Sequence, residues 1–418
     1  MSSLKFEGEI EELNSIQEQF IRDVLEKRGF KDNKVVFEAV GKVGDNFVAS
    51  VKRITVINES GDNFYMIAKI APKLEAHREI INAGLSFNNE SIMYTETFPK
   101  YENIQRIANV ATEDKLLYPE CYGCILEEPN EVILLEDLKL SDYKMLDRLK
   151  PLSDNAVKMV LKNFAILHSL SFALKKLEPD TYDVIRNKLI DMWKMLNGKP
   201  ENELFLSDIE ANLIKVFDAD DKYKKYIVGS LTKTSENSNA LYIEDANSKY
   251  FVIQQGDGWT NNLLFKLKNE VPTECIMIDY QISRETNPVS DILYMIFNCT
   301  DYQARAQNFF KWIDYYHEQL DRLLHYYGLK ADLVYPRDQL DVDIKRYSKM
   351  YFGVSLLVLS VTLRKVDEAN IMKEAMNEND ITKMGESMGV STLGEETLSL
   401  FKTRIIELID SCVELELF

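Results

Sequence analysis

Apolar residues recur at helical spacing through Leu13, Ile16, Phe20, Ile21, Val24 and Leu25, and Gly29 follows as a stop, so the chain opens on a predicted helix. The period then changes. Segments 35–40, 47–57 and 64–70 are rich in β-branched and aromatic residues, with Gly41, Gly44-Asp45 and Ser60-Gly61-Asp62 between them as turns. Together they predict an antiparallel meander. Pro72 closes the third strand, and helical patterning runs from about 75 to 97. Residues 132–135 read as a short apolar strand entering Glu136-Asp137-Leu138.

Beyond about residue 139 helices dominate. Ser153-Asp154 is a predicted N-terminal cap for a long helix through Lys176, and further helical stretches cover roughly 203–226, 301–327, 338–366 and 395–415. Segment 250–279 is the exception. A strand-like FVIQ meets a Gly-Asp-Gly turn, then LLF, a proline-containing hairpin and the strand CIMID. The chain has no internal repeat and no low-complexity linker. The pattern is a small β-rich lobe followed by a large helical lobe with a β insert.

Composition narrows the functional classes. Among 418 residues, 45% are apolar and 28% charged, which fits a globular protein and excludes wholesale disorder. Fifty Lys and Arg against 68 Asp and Glu give a net charge of −18, which argues against nucleic-acid binding because phosphate neutralisation needs clustered cations. A local patch can still oppose the global sign and hold an anionic ligand. The acidic start, MSSLKFEGEIEEL, has no apolar stretch of a secretory signal. The longest nearly apolar run, 352–363, is twelve residues against the roughly twenty a membrane span needs, and reads as a buried helix. Five cysteines in a long chain do not make a disulfide framework, and cytoplasm is the expected location.

The chemistry concentrates at VIQQGDGWTNNLLF. Asp257 and Asn262 are five apart, and Asp279 lies 22 beyond Asp257. Phosphoryl transfer needs a carboxylate to orient and deprotonate an attacking hydroxyl, and oxygen ligands to hold Mg²⁺ on the phosphates. A D-x₄-N loop followed by a strand ending in aspartate supplies those groups. The plainer reading is an Asx-rich hairpin with a solvated turn. Apolar strands on both sides, with CIMI leading into Asp279, favour catalysis.

GDGWTNN, IDYQISR at 278–284 and the following PVSDILYMIF resemble the CHK kinase-like family, the ecdysteroid-kinase-like proteins of arthropods, related to choline kinases and aminoglycoside phosphotransferases. Other stretches agree in order: GKVGDNFVAS with the family's glycine turn, MIAKIAP with its lysine strand, FNNESIMYTETFP with its glutamate helix, ILLEDL with its hinge and FAILHSLSFAL with its Leu-His helix. The similarity spans roughly 35–330.

The resemblance implies an α+β, protein-kinase-like two-lobed fold: an N-terminal helical extension over 1–34, a small antiparallel-β lobe with nucleotide-binding strands over 35–137, and a mainly helical lobe with catalytic and metal loops and an acceptor pocket over 138–418. ATP and Mg²⁺ are the implied cofactors and a small-molecule alcohol the implied substrate, an ecdysteroid or related lipophilic alcohol. Sister proteins acting on xenobiotic alcohols make detoxification a variant. By the same resemblance Asp257 would be the catalytic base, Asn262 and Asp279 the metal ligands, Lys69 the contact to the α/β-phosphates and Glu90 its partner. Gly44, Asp45 and Asn46 would cover the phosphates, and the backbone of Glu136 to Leu138 would receive adenine. Asp291 would brace the catalytic loop. The family usually has His where Gln255 stands, which bears on the loop's geometry.

Local readings stand beside these roles. Lys69 closes an apolar strand and could snorkel to water; Glu90 could lie on a solvated helix face; residues 41–46 could be a plain turn; Asp291 could be a helix cap. Cys121-Tyr-Gly-Cys124 has CxxC spacing with no second CxxC and no adjacent His, and reads as structural. His168 reads as a core histidine, and Arg284 as touching substrate or pairing locally. No P-loop and no GxSxG elbow is present. The expected partners include no nucleic acid and no membrane span, with the chain a monomer or weak dimer. Two alternatives to the ecdysteroid reading are a catalytically weakened kinase-fold protein that binds ATP or a hydrophobic ligand, and a choline- or aminoglycoside-type kinase.

Overall fold

The computed structural model describes residues 4–11, 13–41, 49–192, 200–217, 221–245, 248–376, 387 and 389–418. Its first lobe is a six-stranded sheet in the order β1 (Lys5–Gly8), β2 (Lys34–Ala39), β3 (Ser50–Ile57), β4 (Phe64–Ile70), β6 (Val132–Glu136), β5 (Cys121–Ile125). The β2–β3–β4 meander is antiparallel, as the pattern predicts. The hydrophobic pattern predicts neither β1 nor β5. β1 pairs parallel to β2 across the loop and helix that separate them, a long-range contact with no local signal.

Both faces of the sheet are covered, which explains the unbroken apolar run in β6. Val132 and Leu134 turn to one face with Val35, Phe37, Ile54, Val56, Met66 and Ala68. The helix Ser15–Lys27 seals that face with Ile21, Val24 and Leu25. Asn14 caps this helix, accepting the amides of Ile16 and Gln17, while the Gln17 side chain accepts the Asn14 amide. Ile133 and Leu135 turn the other way, into the main core.

The helical run predicted over 75–97 is interrupted. Asn82 takes φ +47 between Glu75–Ile81 and Ala83–Ile92, a conformation asparagine tolerates. The chain then widens into a π turn at Met93–Thr97 before Phe98–Ile107, where Pro99 has no amide to donate. The Thr95 and Thr97 hydroxyls donate to the carbonyls of Ser91 and Ile92 in that wide turn.

The second lobe packs the long helix Asp154–Leu177 against Tyr302–Leu324, and Val289–Cys299 against Arg337–Thr362. Ser153 caps the first of these through the Ala156 amide. Among the described residues Asp154–Leu177 is the one helix long and apolar enough to cross a membrane, and 78% of its most apolar window is buried inside the lobe. Most of 352–363 is buried at the end of Arg337–Thr362, as expected. The β insert forms a three-stranded sheet, β10 (Val271–Met277), β9 (Leu263–Lys268) and β7 (Lys144–Met145), and a pair of β8 (Val252–Ile253) with β11 (Glu285–Thr286). The α+β two-lobed fold is the one the sequence implies.

Candidate functional site

Lys69 lies on β4, opposite Val51 and Ile133, with its side chain directed away from the outer-face cluster. Its Nζ is 2.5 Å from Glu90 Oε2, on the helix Ala83–Ile92, and 2.9 Å from Asp279 Oδ1, from the other lobe. Burial works against the ammonium, but Asp279 and Glu90 outweigh it and raise its pKa. Glu90 is 2% exposed, which rules out the solvated-face reading. Burial drives its pKa up to about 7, and Lys69 only partly offsets that.

Asp257 sits on the loop after β8. At Gly256 φ is +95, and a Cβ would come within 2.7 Å of the Ile282 carbonyl oxygen, so only glycine fits. Asp291 then fixes the loop from the third position of its helix, which rules out the cap reading. Its Oδ1 accepts the Gly256 amide at 2.8 Å, and its Oδ2 accepts the Gln255 amide and His168 Nε2, both at 3.0 Å. Because a carboxylate accepts there, His168 donates from Nε2, and its Nδ1 lies 2.8 Å from the Tyr316 hydroxyl. His168 is a fully buried core histidine, as expected, and it also positions Asp291.

Gln255 ties the two loops together. Its Nε2 donates to the carbonyls of Ile278 (2.9 Å) and Asp279 (3.0 Å), while its Oε1 accepts the Asp257 amide at 2.7 Å. A neutral carboxamide offers two donors and an acceptor on one rigid plane, so glutamine meets all three needs. Asp279 itself sits at φ +62, left-handed backbone that is unfavourable for a non-glycine residue and is held by these bonds.

Around Asp257 the structure adds a residue that the sequence reading missed. Tyr294 donates to Oδ1 at 2.6 Å, and Asn262 Nδ2 donates to Oδ2 at 2.9 Å and to the Asp257 carbonyl at 3.0 Å. Tyr294 lies in the DILYMIF stretch, one helical turn after Asp291. That spacing was the available signal, but its aromatic pattern reads as core. Burial, then the nearby Asp279 charge, push the Asp257 carboxyl up to about 7.

Three carboxylates, Glu90, Asp257 and Asp279, thus face one ammonium, leaving an excess of negative charge. The donor set suits a hard divalent cation. Asp279 is partly open to solvent, and among the described residues no donor reaches the Asn262 amide oxygen. No group of three or more His, Cys, Asp or Glu makes a metal cage among the described residues. Mg²⁺ does not need one, since it is commonly held by one or two carboxylates, phosphate oxygens and water.

Glu136 and Leu138 mark the crossing between lobes. Glu136 ends β6 and donates its amide to Glu120 at 2.8 Å, and Leu138 is buried beside Tyr143 and Ile276. Asp137 between them pairs with Arg53 and caps the turn Leu138–Ser141 through the Lys139 amide. Gly44, Asp45 and Asn46 lie outside the described residues. Arg284 pairs locally, with Asp191 at 3.3 Å and the Tyr351 hydroxyl at 3.4 Å. An open cleft of about 330 Å³ lies elsewhere on the helical lobe, where Arg346 pairs with Glu244, Asp245 and Asp343. It shares no lining residue with the Lys69–Asp257–Asp279 group.

No curated protein matches the chain. Among solved structures, a Plasmodium vivax ethanolamine kinase aligns at 15% identity over 91% of this chain and 82% of its own, with a TM-score of 0.37. The GDP complex of a point mutant of aminoglycoside 2'-phosphotransferase-IIIa aligns at 14% identity over 93% and 98%, with a TM-score of 0.42. The GDP complex of the wild-type form of that enzyme aligns at 13% over 93% and 99%, with a TM-score of 0.36. At these scores the likeness decides nothing about substrate. The sequence profile of the ecdysteroid kinase-like family matches residues 43–329, more than half of the 418 residues and a stretch holding Lys69, Glu90, Asp257, Asn262, Asp279 and Asp291, so the chain belongs to the ecdysteroid kinase-like family.

Proposed function

We propose that the chain is an ATP- and Mg²⁺-dependent phosphotransferase acting on a hydroxyl of a small organic molecule, an ecdysteroid or related lipophilic alcohol. The observation that carries the reading is the meeting of Lys69 with Glu90 and Asp279, from opposite lobes, at 2.5 and 2.9 Å. Membership of the ecdysteroid kinase-like family supports the proposed substrate class.

In this reading Lys69 faces the α/β-phosphates of ATP while Glu90 fixes its direction. Asp279 and Asn262 would hold Mg²⁺, which neutralises charge on phosphate oxygens when bound. Asp257 orients the acceptor hydroxyl and accepts its proton as the acceptor oxygen bonds to the γ-phosphorus and the bond to ADP breaks. Each Asp257 oxygen already accepts one hydrogen bond, from Tyr294 or Asn262, and keeps a second lone pair for the hydroxyl. A carboxyl with a pKa of about 7 is matched to proton transfer near neutrality. The backbone of Glu136 to Leu138 receives adenine, beside the apolar group of Leu138, Tyr143 and Ile276.

The test is ATP turnover with Mg²⁺ against ecdysteroids, simple lipophilic alcohols, choline and aminoglycosides, with Asp257→Asn as control. Turnover with the first two classes, lost in the variant, supports the reading. Turnover with choline or an aminoglycoside alone replaces the substrate class. ATP binding without turnover on any acceptor overturns the enzyme reading.

A further inference from the structure

The CxxC that sequence alone reads as structural has an arrangement that calls for another account. In a regular strand, residues three apart point to opposite faces. In β5 the pairing with β6 shifts between Cys121 and Gly123, and this bulge brings Cys121 and Cys124 onto one face. Both pack on the main core, whereas Tyr122 and Ile125 pack on the outer-face cluster. The two sulfurs are 3.6 Å apart, reduced and half-buried, while Cys275, Cys299 and Cys412 are buried. The pair lies behind the site: the Glu90 carboxylate acts on both thiols, and the Ser91 side chain acts on Cys124. β5 also ends the sheet, so no further strand resists its movement among the described residues.

We propose that Cys121 and Cys124 form a reversible disulfide by exchange with a low-molecular-weight disulfide such as glutathione disulfide, and that the closed form weakens nucleotide binding through Glu90. The second part rests on the proposed function; the first does not. Either thiol can donate the hydrogen bond between the sulfurs; with Cys121 donating, the Cys124 thiol is held below its ordinary pKa and is the attacking sulfur. Its thiolate bonds to one sulfur of glutathione disulfide and expels a glutathione thiolate. Cys121 then attacks the Cys124 sulfur of the mixed disulfide and expels the second glutathione, which takes up the released proton. Two protein thiols are oxidised and one glutathione disulfide is reduced to two thiols. Closure shortens the sulfur separation from 3.6 Å to about 2.05 Å. That shift moves the sulfurs on which the Glu90 carboxylate acts, and so disturbs the partner of Lys69.

The experiment equilibrates the full chain in graded glutathione buffers, alkylates the remaining thiols and reads intact and peptide masses. The expected product takes three alkyl groups instead of five, leaves the peptide holding Cys121 and Cys124 unalkylated and two hydrogens lighter than its dithiol form, and reverts with dithiothreitol. Cys121→Ser should stop at a stable glutathione adduct on Cys124. Thiols that stay reduced in excess glutathione disulfide, or a wild-type adduct that never resolves, overturn the disulfide. Calorimetry with ATP and Mg²⁺ on both forms tests the coupling: about fivefold or more weaker binding after oxidation is expected. Equal affinity overturns the link to Glu90. If the reduced protein binds no ATP, the proposed function fails while the mass result still decides the disulfide.

Discussion

Tyr294 donates its phenolic hydrogen to Asp257 at 2.6 Å from inside a buried helix, so the carboxylate's rotamer is set by a residue 37 positions further along the chain. The bond also favours the charged form of Asp257, offsetting part of the upward push of burial and of Asp279. Tyr294→Phe removes both effects while keeping the ring. The expected result is a roughly tenfold to hundredfold lower kcat at neutral pH with ATP affinity unchanged, and activity that recovers as pH rises, because the base must be deprotonated. A pH profile of kcat checks it; an unshifted acid limb would remove Tyr294 from this role.

Asp257 itself is the sharper test. Asp257→Asn keeps the shape but cannot take a proton, and turnover should fall by about 10² to 10⁴. ATP binding measured by calorimetry should persist. Near-full turnover in the variant would mean that another group is the base.

Gln255 offers a comparison within one side chain. Gln255→Glu loses both donors and sets a carboxylate against the carbonyls of Ile278 and Asp279, so kcat and Tm should both fall, with a stability loss of roughly 2–4 kcal/mol. Gln255→His keeps one acceptor and one donor and should hold kcat within a few-fold of the parent or raise it. A large fall with Tm intact would show that the loop is tuned to all three amide bonds.

Asp114 carries an acid-stability prediction away from the site. Its carboxylate pairs with Arg322, accepts from Tyr326 at 3.1 Å and lies 3.1 Å from Lys162. Arg322 holds its pKa down at about 2, against burial and with help from Lys162. A depressed folded-state pKa gives stability that is full above the ordinary carboxylate value and lost as pH falls from near 4 toward 2. Because Arg322 is partly exposed, about 1–2 kcal/mol is expected. Denaturant titrations at pH 6 and pH 2.5 should show the difference, and Asp114→Asn should shrink it.

The parts of this molecule that were legible in the sequence are those with local cause. The meander from β2 to β4 followed from residue type and turn chemistry, and Asp257, Asn262 and Asp279 followed from spacing. What escaped depends on distant pairing or on the absence of a group. β1 carries its register only through β2, and the 82–97 break depends on one asparagine and on the missing amide of Pro99. Tyr294 was hidden because a phenol in an apolar helix looks like packing until its acceptor is known. Gln255 stood out as a departure, but two of its three bonds reach carbonyls 23 and 24 residues further along, which no pattern links.

The N-terminal strand and helix have a practical consequence for anyone producing this protein. Trimming to a start near residue 34 would strip Leu13, Ile21, Val24 and Leu25 from Val35, Phe37, Ile54, Met66 and Leu134. At about 1.5–3 kcal/mol for each large side chain uncovered, the shortened chain would present a greasy plateau beside an unpaired strand edge. Inclusion bodies are the expected yield of such a truncation, and an affinity handle is better appended at the far end or through a spacer.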